Sequence, residues 1–388
     1  MLKWMVCRTA GFLITGSLFF IFNGCGTSSY RITEKIPLTI RVAVEKNSTT
    51  INLISKDAYF IYRGSHYQLP SHSTIELNDE SVFINGTPYP FPVTISSPHL
   101  LSLNGKKYSG DILLNGFHII NIIQIEEYLK GVLSSEVDES WPIEALKTQA
   151  VVSRTYAFKK VLQNKSELYD IEDTVLHQKF VYEENNSRIN SAIHETNGII
   201  ILFQNKPVEA FFHSCSGGIT ENCGDIFQQD IPYLRSIPDP YSSGYEHIFW
   251  TFSSSETDIK EALKGILEKK FELRSLKNIK IYKKTGSGRV KEFILIFKGN
   301  EKQILKGNTF RLALDPKVFR SLLIQDIQKK RINDEYIYTF SGKGYGHGVG
   351  LSQWGVKGMA EQGFAYERII AYYYRGTQLG NYDMVSLP

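Results

Sequence analysis

One glutamate, Glu136, has the placement expected of a catalytic acid. It follows Val132 by four residues, which puts its carboxyl on the apolar stripe of a short helix predicted over 126–137. Burial and the negative end of the helix dipole both disfavour the charged form, so we expect a raised pKa and a group able to act as general acid. The alternative is a surface glutamate at a frayed helix end. The nearby Asp138 and Glu139 are expected to be solvated loop residues.

A glycine-rich segment, residues 342–350, has glycine at every second position between a predicted strand and a predicted helix. Such a backbone bends freely and can approach a ligand closely. It is not a dinucleotide or phosphate loop, because it lacks both the βαβ setting with a downstream acid and a Gly-Lys-Ser/Thr sequence. His347 in this segment could contact substrate, orient the acid, or satisfy backbone groups. Ser352 is placed to cap the next helix, which Gln353 would open.

The segment 213–220 and the nearby Cys223 contain the side chains that could bind a metal. His213, Cys215 and Cys223 offer nitrogen and sulfur, and His177 would have to complete a zinc site, but the spacing matches no common structural zinc signature. A disulfide between Cys215 and Cys223 explains the cysteines of an exported protein without metal. An oxidising compartment also disfavours a nucleophilic Cys215, which would need a reduced thiolate.

The first 24 residues have the pattern of a signal peptide. Two basic residues precede an apolar run over 10–22, which is short for a membrane span, and small residues follow it. Cys25 stands where a bacterial lipoprotein carries its lipid, although Phe22 and Asn23 depart from the usual lipobox. We therefore expect export to the periplasm, with Cys25 lipidated and the chain anchored to a membrane by that lipid. An uncleaved anchor and plain secretion are the alternatives.

The overall composition narrows the classes of partner. The chain has 44 Lys and Arg against 40 Asp and Glu, a net charge of +4 with no long basic run, which gives no argument for a nucleic-acid partner. Aromatic residues make up 13% of the chain. This abundance suits a groove where rings stack on sugars, but aromatic residues more often belong to the core, so the count alone decides nothing.

The order of the predicted elements indicates an α+β fold. Residues 36–111 are a succession of short strands, with Asn-Gly turns at 85–86 and 104–105, and form a β-rich N-terminal region. Helical periodicity then begins, and residues 112–388 form a mixed α/β core with an α+β subdomain at about 253–335. Helices are predicted at 126–137, 142–163, 256–270, 352–362 and 366–374, and strands at 198–203, 208–212, within 279–306, and at 336–340.

Three blocks of the sequence resemble the SpoIID/LytB family. The first is the helix that ends at Glu136 together with residues 140–157. The others are residues 211–220 followed by 232–234, and residues 344–358 followed by 372–377, in the family's order. The resemblance extends over roughly residues 36–380 and is weakest in the β-rich beginning and near 253–335.

This resemblance implies a catalytic core of the family's type with a substrate groove. It implies a lytic transglycosylase that cuts peptidoglycan between N-acetylmuramic acid and N-acetylglucosamine, preferably in strands stripped of stem peptides. Glu136 aligns with the family's catalytic glutamate and would leave 1,6-anhydro ends, with no cofactor required. The other motif positions would line the groove: Arg154, Gln178, His213, Gly217, Gly218, His347 and Gln353. Some members bind zinc, but Glu183 and Glu184 stand where a cysteine ligand would be expected, which argues against it.

The same motifs leave other functions open. The chain could be a non-catalytic module that binds glycan and enhances a cell-wall amidase. It could also be a hydrolytic muramidase that uses a second carboxylate and leaves reducing ends. A purely structural envelope lipoprotein is the remaining reading, and the dense motif blocks argue against it. The expected partners are peptidoglycan strands in cell-wall remodelling or division, an amidase, and a membrane reached through the lipid.

Overall fold

The computed structural model describes residues 38–173, 186–242, 244–245, 248–333 and 335–385. Strands dominate the first part of this chain and are mixed with helices afterwards, so the α+β prediction is confirmed. The predicted signal peptide and Cys25 lie outside the described residues. Within the described ranges, no helix combines the length and the apolar character needed to cross a membrane.

The N-terminal region consists of two sheets. Strands β1 to β12 are Thr39–Lys46, Thr50–Ile54, Tyr59–Tyr62, Ser65–Gln68, His72–Leu77, Ser81–Ile84, Thr87–Pro90, Val93–Ser96, Leu101–Leu103, Lys106–Tyr108, Asp111–Asn115 and His118–Gln124. One sheet contains β1, β12, β11, β8, β3 and β4 in that order, and the other β10, β9, β2, β5, β6 and β7. Burial alternates along strands such as β2 and β5, because one face packs on the core and the other faces water.

Tight turns join these strands at the predicted places. Asn85 and Gly86 have φ values of 51° and 82°, and Asn104 and Gly105 have 51° and 83°. Both residues of each pair are left-handed, as a two-residue hairpin requires. The first sheet continues past the boundary expected at residue 111, since β11 and β12 pair as a hairpin and β12 leads directly into the first helix.

The rest of the chain supplies the helices and the smaller sheets. Helices α1 to α9 are Ile125–Glu136, Ile143–Gln163, Ser187–Glu195, Cys223–Ile226, Glu256–Ala262, Lys269–Glu272, Gly307–Ala313, Gln353–Glu361 and Tyr366–Tyr373. Strands β13 to β24 are Ile171–Glu172, Ile199–Phe203, Lys206–Pro207, Phe212–His213, Phe249–Ser255, Leu276–Lys284, Val290–Phe297, Lys302–Lys306, Leu323–Ile332, Glu335–Lys343, Leu351–Ser352 and Gln378–Asn381. Single 3-10 turns occur at Pro240–Ser242 and Tyr382–Met384. β13 joins the first sheet by pairing parallel with β1.

The two helices that carry the first motif block, α1 and α2, begin and end within one residue of their predicted bounds. α1 buries Tyr128, Leu129 and Val132 on the side that packs on the core. A short turn separates the two helices, and a local contact stabilises it: the Asp138 carboxylate accepts a hydrogen bond from the Ser140 amide at 2.8 Å. Pro142 then precedes α2, where no intrahelical N–H is needed.

A second hydrophobic cluster is made of buried residues whose sequence positions run from Trp250 to Phe340. It forms the core of the region that includes the predicted subdomain at 253–335. Two three-stranded sheets surround it, β17-β22-β21 and β18-β19-β20. The single helix predicted over 256–270 is wrong: α5 and α6 are separate short helices, because Gly265 between them has φ of 77°. The strand predicted at 208–212 is likewise replaced by the short strands β15 and β16.

The last motif block brings distant parts of the chain together. β23 pairs parallel with β16, and β24 pairs antiparallel with β14. α8 and α9 follow the predicted bounds within one residue and pack against α2. The second and third motif blocks therefore meet beside the helices of the first.

Candidate functional site

Glu136 is the last residue of α1 and its side chain is half-buried. Val132, one turn earlier, is fully buried, so Glu136 lies where the apolar stripe reaches the edge of the core. Gln353, the first residue of α8, contacts it: the amide Nε2 donates to the main-chain oxygen and to the carboxylate Oε2 of Glu136, each at 3.4 Å. Two of the predicted site residues therefore meet at the junction of α1 and α8.

Gln353 is held in place by the start of α8. Ser352 caps this helix as predicted, because its hydroxyl accepts a hydrogen bond from the Gly355 amide at 3.3 Å. The same hydroxyl accepts from the Ser216 amide at 3.1 Å. Ser352 therefore joins the helix start to the loop of the second motif block, and its side chain is fully buried.

His213 lies next to Ser352, since β16 and β23 place the two residues in register. Its side chain is buried, with Nδ1 3.2 Å from the main-chain oxygen of Val349. A carbonyl accepts only, so Nδ1 carries the proton of the neutral ring. Burial, followed by the neighbouring His347, lowers the pKa of His213 well below its ordinary value. Among the described residues the other ring nitrogen, Nε2, has no hydrogen-bond partner.

His347 packs beside His213, with ring centroids 5.6 Å apart. Its Nδ1 accepts a hydrogen bond from the Val349 amide at 3.0 Å, which closes the glycine-rich loop on itself. Burial is the main cause that lowers the pKa of His347 to about 3, and the nearby Arg311 and Arg289 add to it. Both histidines are therefore neutral near pH 7, and both hydrogen-bond to the backbone of the glycine-rich loop.

Gly217 and Gly218 have φ values of 74° and 109°, a region that other residues rarely adopt. A Cβ on Gly217 would lie 3.0 Å from the amide nitrogen of Gly344, so the glycine allows the two loops to pack backbone to backbone. A Cβ on Gly218 would meet no atom within 4 Å. Gly217 thus has a packing role between the motif blocks, and Gly218 faces open space.

Arg154 does not line a groove, which corrects the expectation for this residue. It is fully buried, and its guanidinium donates to both carboxylate oxygens of Glu126 at 2.8 Å. It also donates to the main-chain oxygens of Ile193 and Ile199. The reason is geometric, because α2 packs against α1 and turns Arg154 inward, where only a paired charge is tolerated. Arg154 fixes the helix that ends in Glu136.

The disulfide considered as one alternative is not formed, since Cys215 and Cys223 are both buried free thiols. The two cysteines contact different segments. Cys215 forms an antiparallel β-bridge with Tyr345, whereas the Cys223 amide donates a hydrogen bond to the Leu234 main-chain oxygen. Burial raises the pKa of both thiols to about 11. They are therefore protonated near neutral pH, a state that does not attack a substrate.

The metal candidates do not form a site in the described part of the chain. No group of three or more His, Cys, Asp or Glu side chains there is arranged to hold a metal ion. His213 is bonded to a main-chain oxygen through Nδ1, and Cys215 and Cys223 contact different segments, so these three side chains do not form a zinc site together. The remaining candidate ligand His177 and the groove candidate Gln178 lie outside the described residues.

Asp239 organises the site, although we did not predict it from the sequence. It is fully buried and accepts hydrogen bonds from the Ser216 hydroxyl at 2.6 Å and from the Tyr373 hydroxyl at 2.9 Å. Its own amide donates to the Gly218 main-chain oxygen. The available signal was an aspartate between two prolines, followed much later by three consecutive tyrosines. Asp239 therefore joins the His213 loop to α9.

A turn of the second core also reaches the site. The buried carboxylate of Glu221 accepts from the hydroxyls of Thr285 and Ser287 at 2.6 and 2.7 Å. Arg289 donates to the Ser216 main-chain oxygen at 2.7 Å, and its guanidinium lies against Gly348, where a Cβ would be 2.6 Å from Cζ. These contacts explain why the glycine-rich loop needs glycine at that position. They also join the second core to the motif loops.

Comparison with known families agrees with the motif blocks. Residues 114–203 match the SpoIID family, described as Stage II sporulation protein. Residues 238–350 match a second family, described as a domain of unknown function (DUF8618). The first match contains α1, α2 and Glu136, whereas the second contains the sheets around the second hydrophobic cluster.

Curated relatives extend the similarity over most of the chain. Stage II sporulation protein D of Bacillus amyloliquefaciens is 32% identical over 69% of this chain and 77% of its own length. The Amidase enhancer of Bacillus subtilis is 29% identical over 84% of this chain but 51% of its own length, so the chain spans about half of that protein. An uncharacterized protein of Brachyspira hyodysenteriae is 28% identical over 80% of this chain and 81% of its own length.

Proposed function

Because the chain belongs to the SpoIID/LytB family, whose members act on the bacterial cell wall, we propose that it is a peptidoglycan lytic transglycosylase with Glu136 as its single catalytic carboxyl. The observation that carries the proposal is the position of Glu136. Its half-buried carboxyl ends α1 and is contacted by Gln353 at the start of α8, and the preceding residue, Ser352, bonds to the loop of the second motif block.

The proposed reaction uses one carboxyl twice, first as an acid and then as a base. Glu136, as a carboxylic acid, protonates the oxygen that leaves with N-acetylglucosamine, and the bond between that oxygen and C1 of N-acetylmuramic acid breaks. The resulting carboxylate then takes the proton of the muramoyl C6 hydroxyl, whose oxygen bonds to C1. The products are a strand ending in N-acetylglucosamine and a 1,6-anhydro end, and Glu136 recovers its proton. No cofactor enters the balance.

The two carboxylates nearest to Glu136 in sequence give no support to hydrolysis. A hydrolase needs a second carboxylate to activate water or to attack the sugar. The nearest carboxylates in sequence, Asp138 and Glu139, are exposed and engaged elsewhere: Asp138 bonds the Ser140 hydroxyl and amide, which lower its pKa, and Glu139 bonds Asn186. A single half-buried carboxyl is sufficient when the substrate supplies its own nucleophile.

The product identifies the reaction. The protein without its first 25 residues is incubated with glycan strands from which an amidase has removed the stem peptides, and the products are analysed by mass spectrometry. We expect 1,6-anhydromuramoyl ends. Reducing muramic acid ends would replace the proposal with hydrolysis. A folded protein that yields neither end would remove the enzymatic proposal altogether.

A second candidate function is enhancement of a cell-wall amidase. It is favoured by the similarity to the Bacillus subtilis Amidase enhancer, which extends over 84% of this chain. An enhancer would bind glycan and accelerate release of stem peptides by an added amidase, and it would do so equally well as Glu136→Gln. If Glu136→Gln abolishes glycan cleavage but keeps the acceleration, the protein has both functions.

We also propose that the protein is exported and carried on a membrane by a lipid at Cys25. The support is the N-terminal pattern of two basic residues, an apolar run and a cysteine. Metabolic labelling with palmitate should mark the full chain and not its Cys25→Ser variant. A chain that stays unlabelled yet appears outside the cytoplasmic membrane would replace lipidation by plain secretion.

A further inference from the structure

The part of the chain around the second hydrophobic cluster is unusually basic. Residues 253–335 contain twenty Lys and Arg against eleven Asp and Glu, a net charge of +9, although the whole chain carries +4. The remaining residues are therefore net acidic. This region falls within the match to a family of unknown function, and it does not contain Glu136. Such a concentration of one sign of charge attracts polyanions.

A cavity of about 580 Å³ opens in this basic region. Its walls come from the β18-β19 hairpin, from the turn after β19, from the start of α5, and from the paired strands β21 and β22. The residues that give it its chemistry are Glu256, Lys277, Lys298, Asn300, Lys329 and Tyr336. Three ammonium groups thus share the cavity with a single carboxylate.

None of the three lysines forms an ion pair with a carboxylate of the described chain. Lys329 donates to the main-chain oxygen of Lys277 at 2.6 Å, and Lys277 donates to the side-chain oxygen of Asn300 at 2.8 Å. The carboxylate of Glu256 instead accepts from the Leu276 amide at 2.6 Å. The lysine side chains therefore keep donors that only neutral groups or solvent satisfy.

Lys329 is the most buried of the three. Its ammonium lies 3.6 Å from the centre of the Tyr336 ring and 5.2 Å from that of Tyr338. Burial lowers its pKa, which means that water solvates the charge less well there than in bulk solvent. Tyr338 is fully buried, and its hydroxyl has no hydrogen-bond partner among the described residues. An anion placed in the cavity would offset this cost.

We infer that this cavity is a second polymer-binding site, in which Lys277, Lys298 and Lys329 bind carboxylates of peptidoglycan while the exposed ring of Tyr336 lies against the strand. The inference takes from the proposed function only the cell wall as setting, and it needs no catalysis at Glu136. Carboxylates occur in peptidoglycan on the lactyl groups of stripped strands and on the stem peptides of intact ones. The site would hold the polymer while the Glu136 site acts on it.

Binding of the exported chain without residues 1–25 to insoluble peptidoglycan tests the inference by co-sedimentation. The cavity variant is Lys277→Gln with Lys298→Gln and Lys329→Gln. The control removes the same charge from exposed lysines of the sheet β18-β19-β20, Lys280→Gln with Lys283→Gln and Lys302→Gln. A double variant, Lys277→Gln with Lys298→Gln, keeps the contact of Lys329 with the rings of Tyr336 and Tyr338. It replaces the triple variant in the experiment if the triple variant is unstable.

We expect the dissociation constant of the cavity variant to rise by about tenfold or more, since each lost charged hydrogen bond is worth roughly that factor. The control should change by less than about threefold, because its lysines do not line the cavity and contribute only a non-specific attraction that salt screens. Equal losses in both variants would mean non-specific attraction, and no loss in either would mean that the cavity does not bind the polymer. Each of these outcomes overturns the inference.

Two further arms identify the ligand and separate the two proposals. The affinities for intact and for peptide-stripped peptidoglycan are compared. Tighter binding to intact peptidoglycan indicates the carboxylates of the stem peptides, and tighter binding to stripped strands indicates those of the lactyl groups. Vesicles of anionic phospholipid serve as the competing polyanion, and cavity-dependent binding to vesicles alone would contradict the inference. Glu136→Gln should bind as tightly as the wild type. Cavity-dependent binding by a protein that never cleaves glycan would refute the proposed function and leave the inference standing.

Discussion

The guanidinium of Arg154 and the carboxylate of Glu126 form a two-point ion pair, with Nε and Nη2 each 2.8 Å from a carboxylate oxygen. Arg154 is fully buried, and the side chain of Glu126 is 21% exposed. Glu126 stands in the first turn of α1 and Glu136 at its end. The pair therefore fixes the direction of the helix that presents the proposed acid.

Replacing Arg154 by lysine should destabilise the fold by about 3 kcal/mol, because a single ammonium cannot occupy both oxygens and the carboxylate loses part of its compensation. The free energy of unfolding in urea measures the effect. Lys264→Gln is the control: its ion pair with Glu261 is exposed, so the loss should stay below about 1 kcal/mol. An equal decrease in the free energy of unfolding for the two variants would show that the buried ion pair stabilises the fold no more than the exposed one.

The same pair shows where prediction from the sequence ends. The amphipathic pattern of α1 and α2 is local, and it predicted both helices within one residue. The partner of Arg154 is 28 residues away on another helix, and only the packing of α1 on α2 brings them together. A motif position therefore identified Arg154 as important but assigned it the wrong surroundings.

The loops of the site follow the same rule. Asp239 was not predicted, because its partners Ser216 and Tyr373 come from segments that meet only in the folded protein. The spacing of Cys215 and Cys223 favoured a disulfide. In the folded protein, however, the backbone of Cys215 pairs with Tyr345 and that of Cys223 bonds to Leu234, so the two residues are held by different segments. The cap at Ser352 was predicted correctly, since a cap depends only on adjacent residues.

The two cysteines should behave as buried thiols. Burial raises the pKa of each to about 11, so almost no thiolate exists near neutral pH. In the protein without residues 1–25, a thiol reagent should react slowly in the native state and with both cysteines in denaturant. Absence of reaction in denaturant, restored by a reductant, would show that the two cysteines form a disulfide and would contradict this prediction.

Stability should fall in acid because of the two buried histidines. His347 has a folded pKa of about 3 against an ordinary value of 6.5, and that of His213 is also lowered. Between the folded and the unfolded pKa of each ring, the unfolded chain binds a proton that the folded chain does not. The contribution of the two neutral rings to the free energy of unfolding is therefore fully present above about pH 6.5 and is lost as the pH falls below that value. The loss is at most about 1.4 kcal/mol per pH unit for each histidine.

Urea unfolding at several pH values below neutral measures this slope. His347→Gln can still accept from the Val349 amide but cannot titrate in this range, so its slope should be shallower than that of the wild type. His194→Gln, at an exposed position, is the control and should keep the wild-type slope. An unchanged slope for His347→Gln would mean that this ring does not cause the acid sensitivity.

Gln353 should act as a positioning residue for Glu136. Gln353→Ala removes the amide that donates to the carboxylate and to the end of α1, so the proposed acid is no longer held in position to protonate the glycosidic oxygen. We expect kcat for glycan cleavage to fall about ten- to a hundredfold with KM nearly unchanged. Gln362→Ala, at the exposed end of the same helix, is the control. A rise in KM with kcat preserved would place Gln353 in substrate binding instead.

The most direct test of the central claim compares Glu136→Gln with Glu139→Gln on peptide-stripped glycan strands. Glutamine is nearly isosteric with glutamate but cannot give up or accept the proton, whereas Glu139 is an exposed neighbour. We predict that Glu136→Gln binds the strands normally and loses anhydromuramoyl product by about 10²–10⁴-fold, while Glu139→Gln keeps wild-type activity. Anhydromuramoyl product formed by folded Glu136→Gln at the wild-type rate would contradict the account.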